Sequence, residues 1–125
     1  MIKKKIKGRI INFSSIGAKI GFPNNHSYGP SKSGLTQLSK MLANDWSKFG
    51  ININTIIPGY FSTEMNKASW KNKKKKNQRS QNTLLKRWGK PSEIIGPVVF
   101  LSSEASSYVT GSEIVVDGGW LSKGL

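Results

Sequence analysis

The sequence predicts an α/β chain of about three parallel strands with flanking helices. Three short runs, "RIINFSS" (9–15), "ININTIIP" (51–58) and "SEIVVDGG" (112–119), are β-branched and end in small, polar or turn-forming residues, as strands of a covered parallel sheet do. Between the first two, Leu35, Leu38, Met41, Leu42, Trp46 and Phe49 recur at intervals of three and four, which marks an amphipathic helix over 30–49. Strand, long helix and strand in succession make a βαβ unit, whose crossover is right-handed in nearly all folds.

Each element has its own justification. The first strand reads as buried and closes on two serines, Ser14 and Ser15. "SIGAKIGFPNNHS" (15–27) follows, with two glycines, a proline and two asparagines, the chemistry of a loop. Pro30 suits the first turn of the long helix and Gly50 its stop. The second strand is closed by Pro58 and Gly59. Residues 60–82 are polar, basic and weakly periodic, which predicts a loop with short helical pieces, of a length that suits a functional lid. "KPSEIIGPVVFLSSEAS" (90–106) begins another helix, with Pro91 early and Glu93 near the positive end of its dipole; Gly96 and Pro97 predict a kink or a later start. There is no internal repeat and no sign of a second domain.

Composition narrows the function classes. A 125-residue chain with 36% hydrophobic residues is one domain or part of one. With no cysteine and a single histidine, His26, neither a disulfide nor a metal site is expected. No apolar run reaches the roughly 18 residues that span a bilayer, and the basic start "MIKKKIKGRI" lacks the apolar core of a signal peptide, so no membrane partner and a cytoplasmic location are expected. The net charge of +14 raises nucleic acid as a partner. Its placement argues against one. Lys3, Lys4, Lys5, Lys7 and Arg9 are terminal, and "NKASWKNKKKKNQR" (66–79) reads as a solvated run within a general bias toward Lys, Asn and Ile.

One spacing carries chemistry. Tyr28 and Lys32 lie four apart, on one face of the start of the long helix. A cation beside a phenol favours the phenolate, lowering a pKa that is ordinarily about 10 and making the hydroxyl a usable proton donor or acceptor. Alone, the pair also suits a solvated helix surface. In company it says more: Ser15 precedes Tyr28 by thirteen positions, and "PGYFST" (58–63) supplies Pro58, Gly59, Phe61 and Thr63 after the next strand.

This ordered set, with the ending "VTGSEIVVDGGW" (109–120), resembles the C-terminal half of a short-chain dehydrogenase/reductase from Gly8 onward. Within that family, "LANDWSKFGININTIIPGY", "RWGKPSEIIGPVVFLSSEASSYVTG" and "VDGGWL" are similar to sugar-acid dehydrogenases of the gluconate and deoxygluconate type. The resemblance implies the C-terminal half of a Rossmann-like doubly wound parallel sheet, a partial domain over 1–125 with its first half missing. It implies NAD or NADP as cofactor, a small-molecule substrate and a homo-oligomer, a tetramer in the family.

The resemblance also implies roles. Tyr28 exchanges the proton at the substrate oxygen, Lys32 tunes it and holds the nicotinamide ribose, and Ser15 donates a hydrogen bond to the same oxygen. Pro58 and Gly59 bring the backbone close to the nicotinamide, while Phe61 and Thr63 contact its carboxamide or the phosphates. Plainer roles compete: Ser14 is an adjacent rival, Ser15 can bond its own backbone, Pro58 and Gly59 can be a turn, and Trp46, Trp88 and Trp120 can be core or interface anchors. The Gly-rich dinucleotide turn does not occur in these 125 residues. Three readings follow: an oxidoreductase that needs the missing half and is inactive alone, an inactive fragment serving as an interaction module, and a basic nucleic-acid-binding protein.

Overall fold

The three β-branched runs pair as one parallel sheet in a computed structural model that describes residues 1–123. The strands are β1 (Gly8–Phe13), β2 (Ile51–Pro58) and β3 (Glu113–Val116), and they lie side by side in that order. Helix α1 (Tyr28–Trp46) crosses between β1 and β2. Its C-terminus tightens into a 3-10 turn, Ser47–Phe49, and stops at Gly50, whose φ of 73° lies in the left-handed region that glycine enters without strain.

Burial concentrates on the middle strand. Ile51, Ile53, Ile56 and Ile57 of β2 are at most 1% exposed, because β2 alone has a strand on each side. Fully burying each such side chain contributes about 1.5–3 kcal/mol. The expectation of a buried first strand is corrected: β1 is only half-buried and Phe13 is 43% exposed. The edge of β1 away from β2 pairs with no described strand.

Helix α1 meets the sheet through buried small side chains, flanked by two of its large apolar ones. Thr36, Ser39 and Ala43 are buried, and Asn12 Nδ2 of β1 donates to Ser39 Oγ at 2.8 Å. Leu42 and Trp46 flank the cluster of Ala43, Ile51 and Ile53, whereas Leu38 and Met41 are half-exposed. Small residues let the helix approach closely, and the polar ones find partners on the strand.

The remaining elements refine the sequence boundaries. Residues 60–82 contain a 3-10 turn (Glu64–Asn66), α2 (Lys67–Trp70) and α3 (Lys73–Gln81), whose nine residues exceed the short pieces expected. Asn72 caps α3, its Oδ1 accepting from Lys75 N at 3.0 Å. Pro91–Ile94 is 3-10, and α4 (Ile95–Ser102) begins after it, so Gly96 and Pro97 fall in a first turn, where a missing N–H costs nothing. The last strand is shorter than expected because Asp117 turns the chain, its carboxylate accepting from Gly119 N and Leu121 N at 2.8 Å each. No helix among the described residues is long and apolar enough to cross a membrane.

Candidate active site

The site lies where ligands collect in parallel sheets, beyond the C-terminal ends of the strands. At the end of β1 the two serines divide their work. Ser14 is 3% exposed, donates to Lys32 O at 3.0 Å and accepts from Thr36 Oγ1 at 2.7 Å, so it fastens the strand end to α1. Ser15 caps the 3-10 turn Ile16–Ala18, its Oγ accepting from Gly17 N at 3.1 Å. That bond uses an oxygen lone pair and leaves the hydroxyl proton for a ligand.

Tyr28 is the first residue of α1 and is 42% exposed. One turn on, Lys32 reaches back over it: Nζ lies 5.7 Å from the ring centroid and donates to Phe13 O at 2.9 Å. The i, i+4 spacing thus sets the ammonium over the Tyr28 ring, and the last carbonyl of β1 holds it there.

Two lobes of one cleft meet at this wall. An apolar lobe of about 380 Å³ is lined by Phe13, Pro58, Phe61 and Ile94, with Thr63 at its side. A more polar lobe of about 440 Å³ is lined by Asn24, Asn25, Tyr60 and Arg79. Ser15, Tyr28, Gly59, Met65 and Asn66 line both. Ser15, Tyr28, Pro58, Gly59, Phe61 and Thr63 therefore surround one space, with Lys32 behind Tyr28. His26 instead lines a neighbouring hollow beside residues 17–22.

Gly59 has a structural reason of its own. A Cβ there would sit 2.7 Å from Asp117 Cα, and Gly59 N donates to Val116 O at 2.9 Å, so the ends of β2 and β3 close on a position that only glycine fits. Behind the polar lobe, Tyr60 packs against Trp88, Trp120 and Phe22, with ring centroids 5.3, 5.0 and, for the Phe22 pair, 6.4 Å apart. Trp88 and Trp120 thus brace the cleft, as the anchor reading expects. Nearby, Glu93 receives a two-pronged hydrogen bond from Arg87, at 2.6 and 2.7 Å. Arg87 and the backbone N–H of Lys90 together hold the Glu93 carboxyl down to about 2.

Sequence reasoning missed Tyr60, Asn24, Asn25, Asn66 and Arg79 as lining residues. Tyr60 had a signal, since it directly follows Pro58 and Gly59. Arg79 had none, being the last cation of a lysine run.

Comparison with known proteins now has a site to rest on. A family model described as "Enoyl-(Acyl carrier protein) reductase" matches residues 1–121. The chain belongs to the short-chain dehydrogenase/reductase family. Among curated members it is 40% identical to the 2-dehydro-3-deoxy-D-gluconate 5-dehydrogenase of Escherichia coli (strain K12), over 93% of this chain and 46% of that enzyme. It is 39% identical to the L-rhamnose-1-dehydrogenase of Scheffersomyces stipitis, over 95% of this chain and 46% of that enzyme. Among solved family structures, a gluconate 5-dehydrogenase from Burkholderia cenocepacia J2315 in complex with NADP and tartrate superposes with a TM-score of 0.93 at 34% identity, covering 98% of this chain and 48% of the other. The chain spans about half the length of the curated relatives it matches.

Proposed function

We propose that this chain forms the substrate-facing half of an NAD(P)-dependent oxidoreductase that moves a hydride between the cofactor and a hydroxyl or ketone of a sugar acid or similar small polar molecule. In this reading it works together with the half of its relatives that it does not span. The observation that carries the reading is the shared wall: Ser15 and Tyr28 stand between an apolar lobe and a polar lobe. A flat nicotinamide suits the first, with Phe13, Pro58 and Phe61 against the ring and Thr63 for its carboxamide. A polyol suits the second, where asparagine side chains offer donors and acceptors to hydroxyls.

The nicotinamide, when bound, supplies or accepts the hydride. The chain's own residues handle the proton. In the oxidative direction Tyr28 Oη takes the proton of the substrate hydroxyl, and in the reductive direction returns it. The Ser15 hydroxyl donates to the same substrate oxygen and stabilises the charge that develops there. The Lys32 ammonium, fixed by Phe13 O, stabilises negative charge on the Tyr28 oxygen and presents a donor toward a cofactor ribose. The pyrophosphate and adenosine contacts fall to the other half.

The test joins residues 1–125 behind the N-terminal half of the Escherichia coli relative and substitutes Tyr28→Phe, which removes one oxygen. Nicotinamide-linked turnover of sugar acids is expected to fall by at least about a hundredfold, the usual worth of a positioned proton donor, with the circular dichroism unchanged. Turnover within about tenfold of the parent fusion overturns the assignment.

A further inference from the structure

Sequence identity leaves the substrate class open, because a sugar-acid dehydrogenase and a neutral-sugar dehydrogenase, at 40% and 39% identity, are nearly equally similar to this chain. One side chain in the polar lobe separates the two. Arg79 of α3 is the only formally charged residue among those lining that lobe. Its guanidinium carbon lies 4.6 Å from the Tyr60 ring centroid and 5.8 Å from that of Trp88, so the group is stacked and pre-oriented rather than trailing in solvent. Helix α3 is itself pinned to the aromatic wall, since Trp88 Nε1 donates to Lys76 O at 3.1 Å.

Two observations point from Arg79 to a ligand. None of the ion pairs among the described residues includes it; Arg87, its neighbour near the same wall, is already bound to Glu93. Moreover Arg79 Nη1 is buried and has no hydrogen-bond partner. A buried charged N–H without an acceptor is unfavourable, and with Nη1 closed off from the cleft the guanidinium has its Nε–Nη2 edge left for a planar, two-oxygen anion.

We infer that Arg79 recognises the carboxylate of the substrate, and that this contact selects sugar acids over neutral sugars at the site. The inference rests on the oxidoreductase reading for the identity of the lobe. With the carboxylate on Arg79, the carbon chain runs across Asn24, Asn25 and Asn66, and a hydroxyl or ketone oxygen of that chain meets Ser15 and Tyr28. The other cations of the run, Lys67, Lys71 and Lys73 to Lys76, are exposed and do not line the cleft.

The test titrates the full chain with D-gluconate and with D-glucitol, its uncharged six-carbon counterpart, following tryptophan emission, which Trp88 beside Arg79 makes sensitive to the contact. Gluconate is expected to bind at least about tenfold more tightly than glucitol, the worth of one charge-assisted pair. Arg79→Gln removes that preference and leaves glucitol binding in place. Arg79→Lys, which keeps a cation over the rings but loses the planar fork, retains part of the preference and serves if Arg79→Gln proves unfolded by circular dichroism. Lys74→Gln, an equal loss of charge on the exposed face of α3, leaves gluconate binding unchanged. A chain that binds both molecules alike or binds neither, an Arg79→Gln or Arg79→Lys variant with the full preference, or an equal loss in Lys74→Gln overturns the inference. The Tyr28→Phe fusion reads the oxidoreductase assignment separately, because turnover there can fail or survive whichever way the gluconate preference falls.

Discussion

Ser14 and Ser15 are chemically identical and adjacent, yet the fold gives one both its partners and the other a free proton. Ser14 sits under α1 between Lys32 O and Thr36 Oγ1, while Ser15 faces the cleft with only its acceptor side engaged. Their alanine variants should therefore separate stability from turnover. Ser14→Ala removes two buried hydrogen bonds, at about 0.5–1.5 kcal/mol each, while Thr36 Oγ1 still donates to Lys32 O at 2.9 Å; the loss is read as a lower urea midpoint with an unchanged slope. Ser15→Ala in the active fusion should keep the midpoint within about 1 kcal/mol and lose turnover by about tenfold to a thousandfold, as removal of a donor to a developing oxyanion does. The reverse pattern would make Ser14 the reacting serine. Lys32 shows the same economy: one ammonium satisfies the last carbonyl of β1 and covers the Tyr28 ring.

At the scale of elements, Glu113 joins three of them. It opens β3 and pairs with Lys40 of α1 at 2.8 Å and with Lys19 of the turn that Ser15 caps. Burial by itself raises the pKa of Glu113, and the two ammonium groups outweigh it, holding the carboxyl below its ordinary value of 4.5. A carboxyl depressed in the folded chain stabilises it fully above that ordinary value, and the contribution disappears as pH falls through the lower folded value. Glu113→Gln should thus lower stability at neutral pH by up to about 1 kcal/mol, the range for half-exposed pairs, and make the loss of stability below pH 4.5 shallower. Chemical denaturation of both chains at pH 7 and in the acid range checks it; parallel curves would show that Glu113 contributes no linkage. The register places Asn12, Thr55 and Glu113 in one row across the sheet, so this tie and the bond from Asn12 to Ser39 seat α1 together.

For the whole molecule, the relevant fact is which surfaces the cleft has. In the proposed reading the described residues supply the wall around a nicotinamide and its substrate, and no Gly-rich strand-to-helix turn for a pyrophosphate occurs in the sequence. Most of the contacts that hold a dinucleotide in this architecture depend on that turn. The chain by itself should accordingly show no saturable micromolar binding of NADH or NADPH and no turnover. Calorimetry on the purified chain decides it, and a micromolar isotherm from a monodisperse sample would show that this half suffices. The same titration with light scattering also reports on the edge of β1, where Phe13 is 43% exposed and the backbone has no described neighbour on one side. Association is expected there, only partly offset by the net charge of +14.

A family resemblance named the candidates Ser15, Pro58, Gly59, Phe61 and Thr63, while the sequence by itself determined the strand–helix–strand order, β2 residue for residue, and the spacing that sets Tyr28 and Lys32 one turn apart. These are legible because period, turn chemistry and spacing are local, and a spacing of four on a helix is already a statement about distance. Tertiary structure decided what depends on neighbours far along the chain. It made Thr36, Ser39 and Ala43, with Leu42 and Trp46 beside them, the face of α1 that meets the sheet, because burial there depends on strands far along the chain. It gave Gly59 its necessity through Asp117, fifty-eight residues on. It also drew Arg79 out of a run of solvated lysines and laid it on Tyr60 and Trp88, since burial, and with it the worth of a charge, is set by what packs against a residue and not by what precedes it.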